Sequence, residues 1–278
     1  MAIERTEVLL PWQAEAFGAL LGVPVPDLGK GAGLPPLWHW IYLLEHPAQA
    51  DLGPDGHPLR GTIPEPPGPG QRRMWAGGRV RTAGALRCGE QATKRSSVLS
   101  VTEKDGKSGH LTFVTVGHQV IQGGTVVVDE EQDIVYRDAA PAGQPAAGGR
   151  PADDGAPAVP AGDGDWEIEV SPTLLFRFSA LTYNAHRIHY DRDYSRDVEG
   201  YPGLLTHGPL QALAMAEAAR ARGVSGDLTF EYRLLSPLFD HQGLIVSVSK
   251  AAGGVGGLAV AARDKYGRQT ANGTFLPR

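Results

Sequence analysis

The 278 residues contain one cysteine, Cys88, together with three methionines and 7% aromatic residues. A single thiol excludes an intramolecular disulfide and leaves too few thiolates for a cysteine-built metal site. Positive charge is also in short supply: Lys and Arg number 26 against 31 Asp and Glu, a formal net charge of −5. There is then no diffuse positive field for phosphate backbones or anionic lipid, so neither nucleic acid nor a membrane is an expected partner. Runs of apolar residues fall short of the ~18 that a membrane helix needs. The opening MAIERTEVLLPWQAEAFGALLG puts Glu4, Arg5 and Glu7 ahead of a broken apolar run and does not read as an export signal. A soluble, cytoplasmic protein is expected.

What is present suits two comparable globular halves. Residues 139–164, AAPAGQPAAGGRPADDGAPAVPAGDG, are dominated by Ala, Pro and Gly and nearly lack large apolar groups. Such a segment cannot bury enough surface to offset its ordering entropy and reads as a linker. It separates residues 1–138 from 165–278. In the first part, LPPLWHWIYLLEH (Leu34 to His46) spaces large apolar groups as a buried helix would. MWAGGRVRT, the stretch 90–104, HLTFVTVGHQVIQ and GTVVVDEEQDIVYRD follow as strands, with hairpin signals at Asp105, Gly106, Gly123 and Gly124. In the second part, WEIEV and LLFRFSAL read as extended. HGPLQALAMAEAARAR (His207 to Arg222) reads as an Ala-rich helix ended by Gly223, and four antiparallel strands complete the unit. One helix followed by consecutive strands is the order of a sheet curved around a helix, an α+β arrangement occurring twice. The glycine pairs Gly77-Gly78, Gly123-Gly124 and Gly253-Gly254 lack the context of a nucleotide-binding loop and read as turns and bulges.

Chemistry concentrates in FRFSALTYNAHRIHYDRDYS (Phe176 to Ser195), which brings Thr182, Tyr183, Asn184, His186, Arg187, His189 and Asp191 together just before YPGLLTHGP (Tyr201 to Pro209) leads into the helix. A helix start presents free N–H groups and a positive dipole end, and glycine at Gly208 permits close approach of that backbone to a thioester carbonyl. A neutral histidine can exchange a proton with water at the β carbon while Asn184 holds water or substrate. For the other polar residues the bland roles stand beside the chemical ones: His186 as a loop anchor, His207 as a helix cap or a binding group, Asp191 as the cap of a short helix. A metal held by His186, His189, Asp191 and His207 is not expected, since His-x-x-His arises often by chance.

The segments ALTYNAHRIHYD and EGYPGLLTHGPL, with LPPLWHWIYLLEH, DGHPLRG, RRMWAGGRVR and EEQDIVYRD in the first half, resemble the MaoC-like (R)-specific hydratases. The likeness is to the subgroup of mesaconyl-C4-CoA hydratase, itaconyl-CoA hydratase and the mitochondrial type 2 hydroxyacyl-thioester dehydratase. It covers nearly the whole chain except the linker and the extreme N-terminus. It implies a double hot-dog fold, two antiparallel sheets each wrapped around a central helix. The degenerate N-terminal half would shape the acyl pocket and the C-terminal half would carry catalysis. It further implies an acyl-CoA substrate, no cofactor beyond that thioester, and a homodimer. By position His189 is similar to the family's catalytic histidine, Asn184 to its motif asparagine, and Gly208 to its oxyanion glycine.

Departures from the wider family pattern bear on mechanism. Thr182 stands where the family motif has its aspartate, two residues are inserted between Asn184 and His189, and Arg187 takes the place of a proline. His189 acting alone on water held by Asn184 is the expected substitute; Asp191 or a carboxylate of the substrate are the other two. Thr182, Tyr183, His207, Arg233 and Arg73 are the expected substrate contacts. For a dicarboxylic acyl end, Arg73, Arg177, Arg187 and Arg233 are candidate cations, with Arg233 first because its strand also resembles the family. The alternatives are a hot-dog thioesterase and a non-catalytic acyl-CoA-binding module.

Overall fold

The computed structural model describes residues 2–67, 71–106, 109–138, 156–251 and 256–278. Ten strands form one antiparallel sheet in the order β1-β3-β4-β5-β2-β7-β10-β9-β8-β6. Strands β1 (Ala2–Val8), β2 (Gln71–Thr82), β3 (Gln91–Gly106), β4 (Gly109–Gln122) and β5 (Thr125–Asp138) make one half. Strands β6 (Trp166–Ile168), β7 (Leu228–Leu234), β8 (Leu244–Lys250), β9 (Leu258–Arg263) and β10 (Gln269–Pro277) make the other. The halves meet where β2 pairs β7, from Gly77 opposite Arg233 to Arg81 opposite Thr229. A side chain at Gly78 would collide with Glu131 O and the Tyr232 ring, and Gly77 lies at a bulge, so glycine lets the two halves close into one sheet.

The strands follow from period-2 patterning. Along β7, Phe230 and Tyr232 are buried while Glu231 and Arg233 face outward. The hairpin between β4 and β5 turns at Gly123 and Gly124, both at positive φ as a tight two-residue turn requires. Helix α3 (Gly208–Arg220) is buried from Leu210 to Ala219, and the small side chains of its Ala-rich face let it lie close against β8, β9 and β10.

Two segments depart from the sequence reading, and a third, at the N-terminus, takes a structure it did not assign. LLFRFSAL is helix α2 (Pro172–Leu181), not a strand: Ser171 accepts a hydrogen bond from Leu174 N, Pro172 sits at the first turn, and Leu175 and Phe178 share the buried side. The stretch 34–46 is buried as expected, but only Trp38–Ile41 makes a single 3-10 turn. Leu37 and Leu43 adopt positive φ, which breaks the helix and sends neighbouring side chains to opposite partners. Trp38 Nε1 donates to Glu217 on α3 at 2.7 Å, whereas His39 meets Glu130 on β5 at 2.8 Å. At the N-terminus the broken apolar run is β1 followed by α1 (Pro11–Leu21), which ends at Gly22 in the left-handed region. Residues 139–155 of the expected linker, and Gly253-Gly254, lie outside the described residues. Its last part is anchored: Val159 N donates to Lys265 O at 2.7 Å, and Arg263 reaches the carbonyls of Val159 and Pro160. No helix among the described residues is long and apolar enough to cross a membrane.

Candidate active site

The site begins at the end of α2. Thr182 donates its hydroxyl to Phe178 O at 2.8 Å, so this side chain is engaged by its own helix. Tyr183 then takes a positive φ that reverses the chain. Asn184 Oδ1 accepts from His186 N at 2.9 Å, fixing the loop and leaving the amide NH2 as the free end of Asn184. The loop closes in a 3-10 turn, Arg187–His189, whose Ile188 O accepts from Leu205 N. The His189 loop and the lead into α3 are thereby tied together.

His189 is 7% exposed, and its Nδ1 lies 2.6 Å from Leu205 O. A carbonyl only accepts, so Nδ1 carries the proton and Nε2 is left as an acceptor. Burial pulls the His189 pKa down to about 4, against a smaller raising effect of the Leu205 bond. Its ring stacks on His207, whose Nε2 lies 2.9 Å from Ser179 Oγ. His207 precedes α3 but makes no side-chain cap, so the capping role is not the one it plays. His186 meets His189 edge to face at 5.4 Å and stacks on His57 at 4.1 Å. The four imidazoles form two stacked pairs that meet edge to face, and among the described residues no group of three or more His, Cys, Asp or Glu is placed to hold a metal ion. Gly208 begins α3, where its N–H has no partner within the helix, and a Cβ there would overlap Leu234 Cδ1.

In front of this loop is a cavity of about 860 Å³ that reaches deep into the N-terminal half. Phe178, Ser179, Thr182, Tyr183, Asn184 and Pro209 line one end; Trp40, Lys94, His118, Glu130 and Tyr136 line the other. His189, His207 and Gly208 are not among the lining residues but lie next to ones that are, His207 against Phe178 and Ser179 and Gly208 beside Pro209; at this end of the cavity the imidazole on the wall is His57. Asp191 is elsewhere: it pairs with Arg187 at 2.8 Å and accepts from Tyr194 N at 3.0 Å, the short-helix cap expected of it.

Of the four candidate arginines, only Arg73 reaches this cavity. Arg233, ranked first from the sequence, is exposed on the outer face of β7; Phe230 and Tyr232 take the inner positions, so the alternation of the strand turns Arg233 away. Arg177 is exposed on α2. Arg187 is held by Asp191 and Pro54 O and lies over the Tyr194 ring. Sequence reasoning missed Lys94 and the polar inner face around it. Lys94 sits between buried Ala92 and Ser96 on β3, so it points inward, and its ammonium is enclosed by protein but open to the cavity. Burial lowers its pKa, with Glu45 and Glu130 opposing. Neither Lys94 nor Arg73 has a carboxylate within ion-pair distance among the described residues. Glu130 is hydrogen-bonded to His39, Trp40 and Gln132; burial alone would raise its pKa, but His39, then His118 and Gln132, bring it down to about 2. The signal available in the sequence was the alternation of β3 and β4, which sets Lys94 and His118 on the face that should be core.

Comparison with known proteins places these features in a lineage. The family model described as hydroxyacyl-thioester dehydratase type 2 matches residues 37–240. The chain is 46% identical over 229 residues to mesaconyl-C(4)-CoA hydratase of Chloroflexus aurantiacus, covering 82% of this chain and 79% of that protein. Among solved structures, a MaoC-like dehydratase from Phytophthora capsici superposes with a TM-score of 0.69 at 16% identity, over 100% of this chain and 95% of the other. A Mycobacterium tuberculosis protein reported to have a double hotdog fold superposes at 0.57 and 18% identity, over 99% and 94%. These structural likenesses speak to fold.

Proposed function

Starting from the fact that this chain belongs to the hydroxyacyl-thioester dehydratase type 2 family and is an acyl-thioester hydratase/dehydratase, we propose that it adds water reversibly across the α,β double bond of a short dicarboxylic enoyl-CoA. The observation that carries the choice of acyl group is the pair of cations facing the cavity, Arg73 and Lys94, which have Glu45 in their field but, among the described residues, no carboxylate within ion-pair distance. An unpaired buried charge is costly, and a carboxylate at the far end of the acyl chain would offset that cost in the bound state. The acyl group of mesaconyl-C4-CoA carries such a carboxylate.

In this reading His189 Nε2 takes the proton of the attacking water as the C–O bond forms at the β carbon, and returns it to the α carbon. The Gly208 N–H and the dipole of α3 stabilise the enolate oxygen in between, an effect typically worth a few kcal/mol. The free amide of Asn184 donates to substrate or water. Thr182 and Tyr183 border the entrance and Arg73 contacts the acyl end, whereas Arg233 is not part of the site. The catalytic half is 165–278 and the N-terminal half, 1–138, supplies the acyl pocket. A homodimer is the assembly in keeping with the exposed Val98, Leu99 and Val101 on β3, and light scattering on the eluted protein tests it.

The test of the substrate class compares mesaconyl-C4-CoA, itaconyl-CoA and crotonyl-CoA in the wild type, Arg73→Met and Lys94→Met. The expected result is a fall in kcat/KM on the order of 100-fold for the dicarboxylic esters, as for losing a buried charged hydrogen-bond partner, with crotonyl-CoA hydration retained. Equal loss on all three esters would remove the carboxylate-binding role.

A further inference from the structure

Water has two hydrogens to place during its addition, and in the proposed reading His189 Nε2 takes one of them. Of the other groups of that loop, Thr182 donates to Phe178 O, Asn184 Oδ1 is bonded to His186 N, Asp191 is tied to Arg187 and Tyr194 N away from the cavity, and the His186 ring is packed between His57 and His189 and does not line the cavity. The other carboxylates lining the cavity have partners too: Glu199 pairs with Arg72 at 2.6 Å, Glu130 with His39 and Trp40, Asp55 Oδ1 accepts from His57 N at 3.0 Å, and Glu45 faces the charges of Lys94 and Arg73.

The N-terminal half brings its own group to this position. The turn Asp55-Gly56-His57 docks directly on the His189 loop. Arg187 N donates to Asp55 O at 2.8 Å, and Arg187 Nη1 to Pro54 O at 3.0 Å. A side chain at Gly56 would overlap Ala185 O, so only glycine allows this approach. His57 N donates to Asp55 Oδ1 at 3.0 Å, and its ring stacks on His186, itself against His189. The His57 ring lies on the cavity wall beside Asn184 and Ala185. Among the described residues none hydrogen-bonds to its ring nitrogens. Burial, then the Arg73 cation, then His189 hold it well below the ordinary histidine range, so at neutral pH it has a free lone pair.

We propose that His57 is a second catalytic histidine, contributed across the junction of the two halves, which accepts a hydrogen bond from the reacting water and so takes over the place left by the aspartate that Thr182 replaces. The inference rests on the hydratase reading. As the C–O bond forms, the transferred proton passes to His189 and back to the α carbon. The hydrogen held by His57 stays on oxygen as part of the new hydroxyl, and His57 exchanges no proton.

The experiment is hydration of mesaconyl-C4-CoA and crotonyl-CoA by the full chain carrying His57→Phe, His57→Gln or His57→Ala. Phenylalanine keeps a flat ring to stack on His186 but has no acceptor, and kcat is expected to fall on the order of 100-fold with both esters. Glutamine keeps an acceptor and is expected to retain more activity than phenylalanine. Added imidazole is expected to restore part of the lost kcat of His57→Ala. A folded His57→Phe enzyme with wild-type kcat would overturn the proposal. Should that variant not fold, His57→Ala decides: loss of kcat without rescue by imidazole overturns it. A wild type that hydrates neither ester refutes the hydratase reading itself, a different outcome from an active wild type indifferent to His57.

Discussion

The imidazole of His189 lies on that of His207 with ring centroids 3.6 Å apart and planes 18° from parallel. Two imidazolium ions at this separation would repel across a dry contact, and burial already disfavours charge on either ring. The stack is therefore a stack of neutral rings. His189 is fixed by it on one face and by Leu205 O at Nδ1, so the direction of Nε2 is set before substrate arrives.

A pH dependence follows. His189 must be neutral to accept a proton, and with its pKa pulled from 6.5 to about 4 the acid limb of kcat/KM is expected near pH 4 instead of 6.5. Stability moves in the same direction. In the unfolded chain the imidazole binds a proton as pH falls below 6.5, while in the folded chain it does not until about 4. The folded state is thus at full advantage above 6.5 and loses roughly 3 kcal/mol from His189 alone across that window. Urea unfolding midpoints between pH 7 and 4.5 check this; midpoints that do not fall would contradict a neutral buried His189.

Asp191 belongs to structure. Its carboxylate is lowered chiefly by the Tyr194 N–H and next by Arg187. It is also part-exposed, so solvent screens the pair. Asp191→Asn is expected to lose about 1 kcal/mol of stability, seen as a lower Tm, with kcat essentially unchanged.

Gly208 is hemmed in by Leu234, whose Cδ1 an added Cβ would overlap, and in the proposed reading its N–H faces the substrate carbonyl. Gly208→Ala is expected to lower both kcat and Tm. Adding Leu234→Ala makes room for the methyl group and should recover the stability lost to the clash without recovering kcat, which a double-mutant cycle reads directly.

Glu130 anchors the polar floor of the cavity through His39 and Trp40. Glu130→Ala leaves those buried donors unpaired and is expected to cost about 3–5 kcal/mol in chemical unfolding. An unchanged midpoint would mean that water replaces the carboxylate.

The parts of this architecture that were legible in the sequence are those coded locally. Strand alternation in β3, β4 and β5, the Gly123-Gly124 turn, and the Ala-rich α3 can each be seen within a short window. So can the His189 loop, because its polar residues are contiguous. Helix α2 was misread because Leu174, Leu175, Phe176 and Phe178 look like a strand unless Ser171-Pro172 is weighed as a helix start. The turn at Trp38–Ile41 depends on partners such as Glu217 and Glu130, far along the chain, and helical spacing alone could not anticipate them. Arg233 was assignable in principle, since Phe230 and Tyr232 flank it at period 2. Lys94 was marked in the same way by the alternation of β3, whereas His57 was not: its place beside the His189 loop arises from the packing of one half against the other, which no local pattern records.

The most direct test of the central claim is enoyl-CoA hydration by wild type and His189→Ala, followed as loss of enoyl absorbance with free thiol measured in parallel. Wild type is expected to hydrate mesaconyl-C4-CoA rapidly with no thiol release, and His189→Ala to fold but show no measurable turnover. A fully active His189→Ala enzyme, or thiol release in step with substrate loss, would contradict that claim.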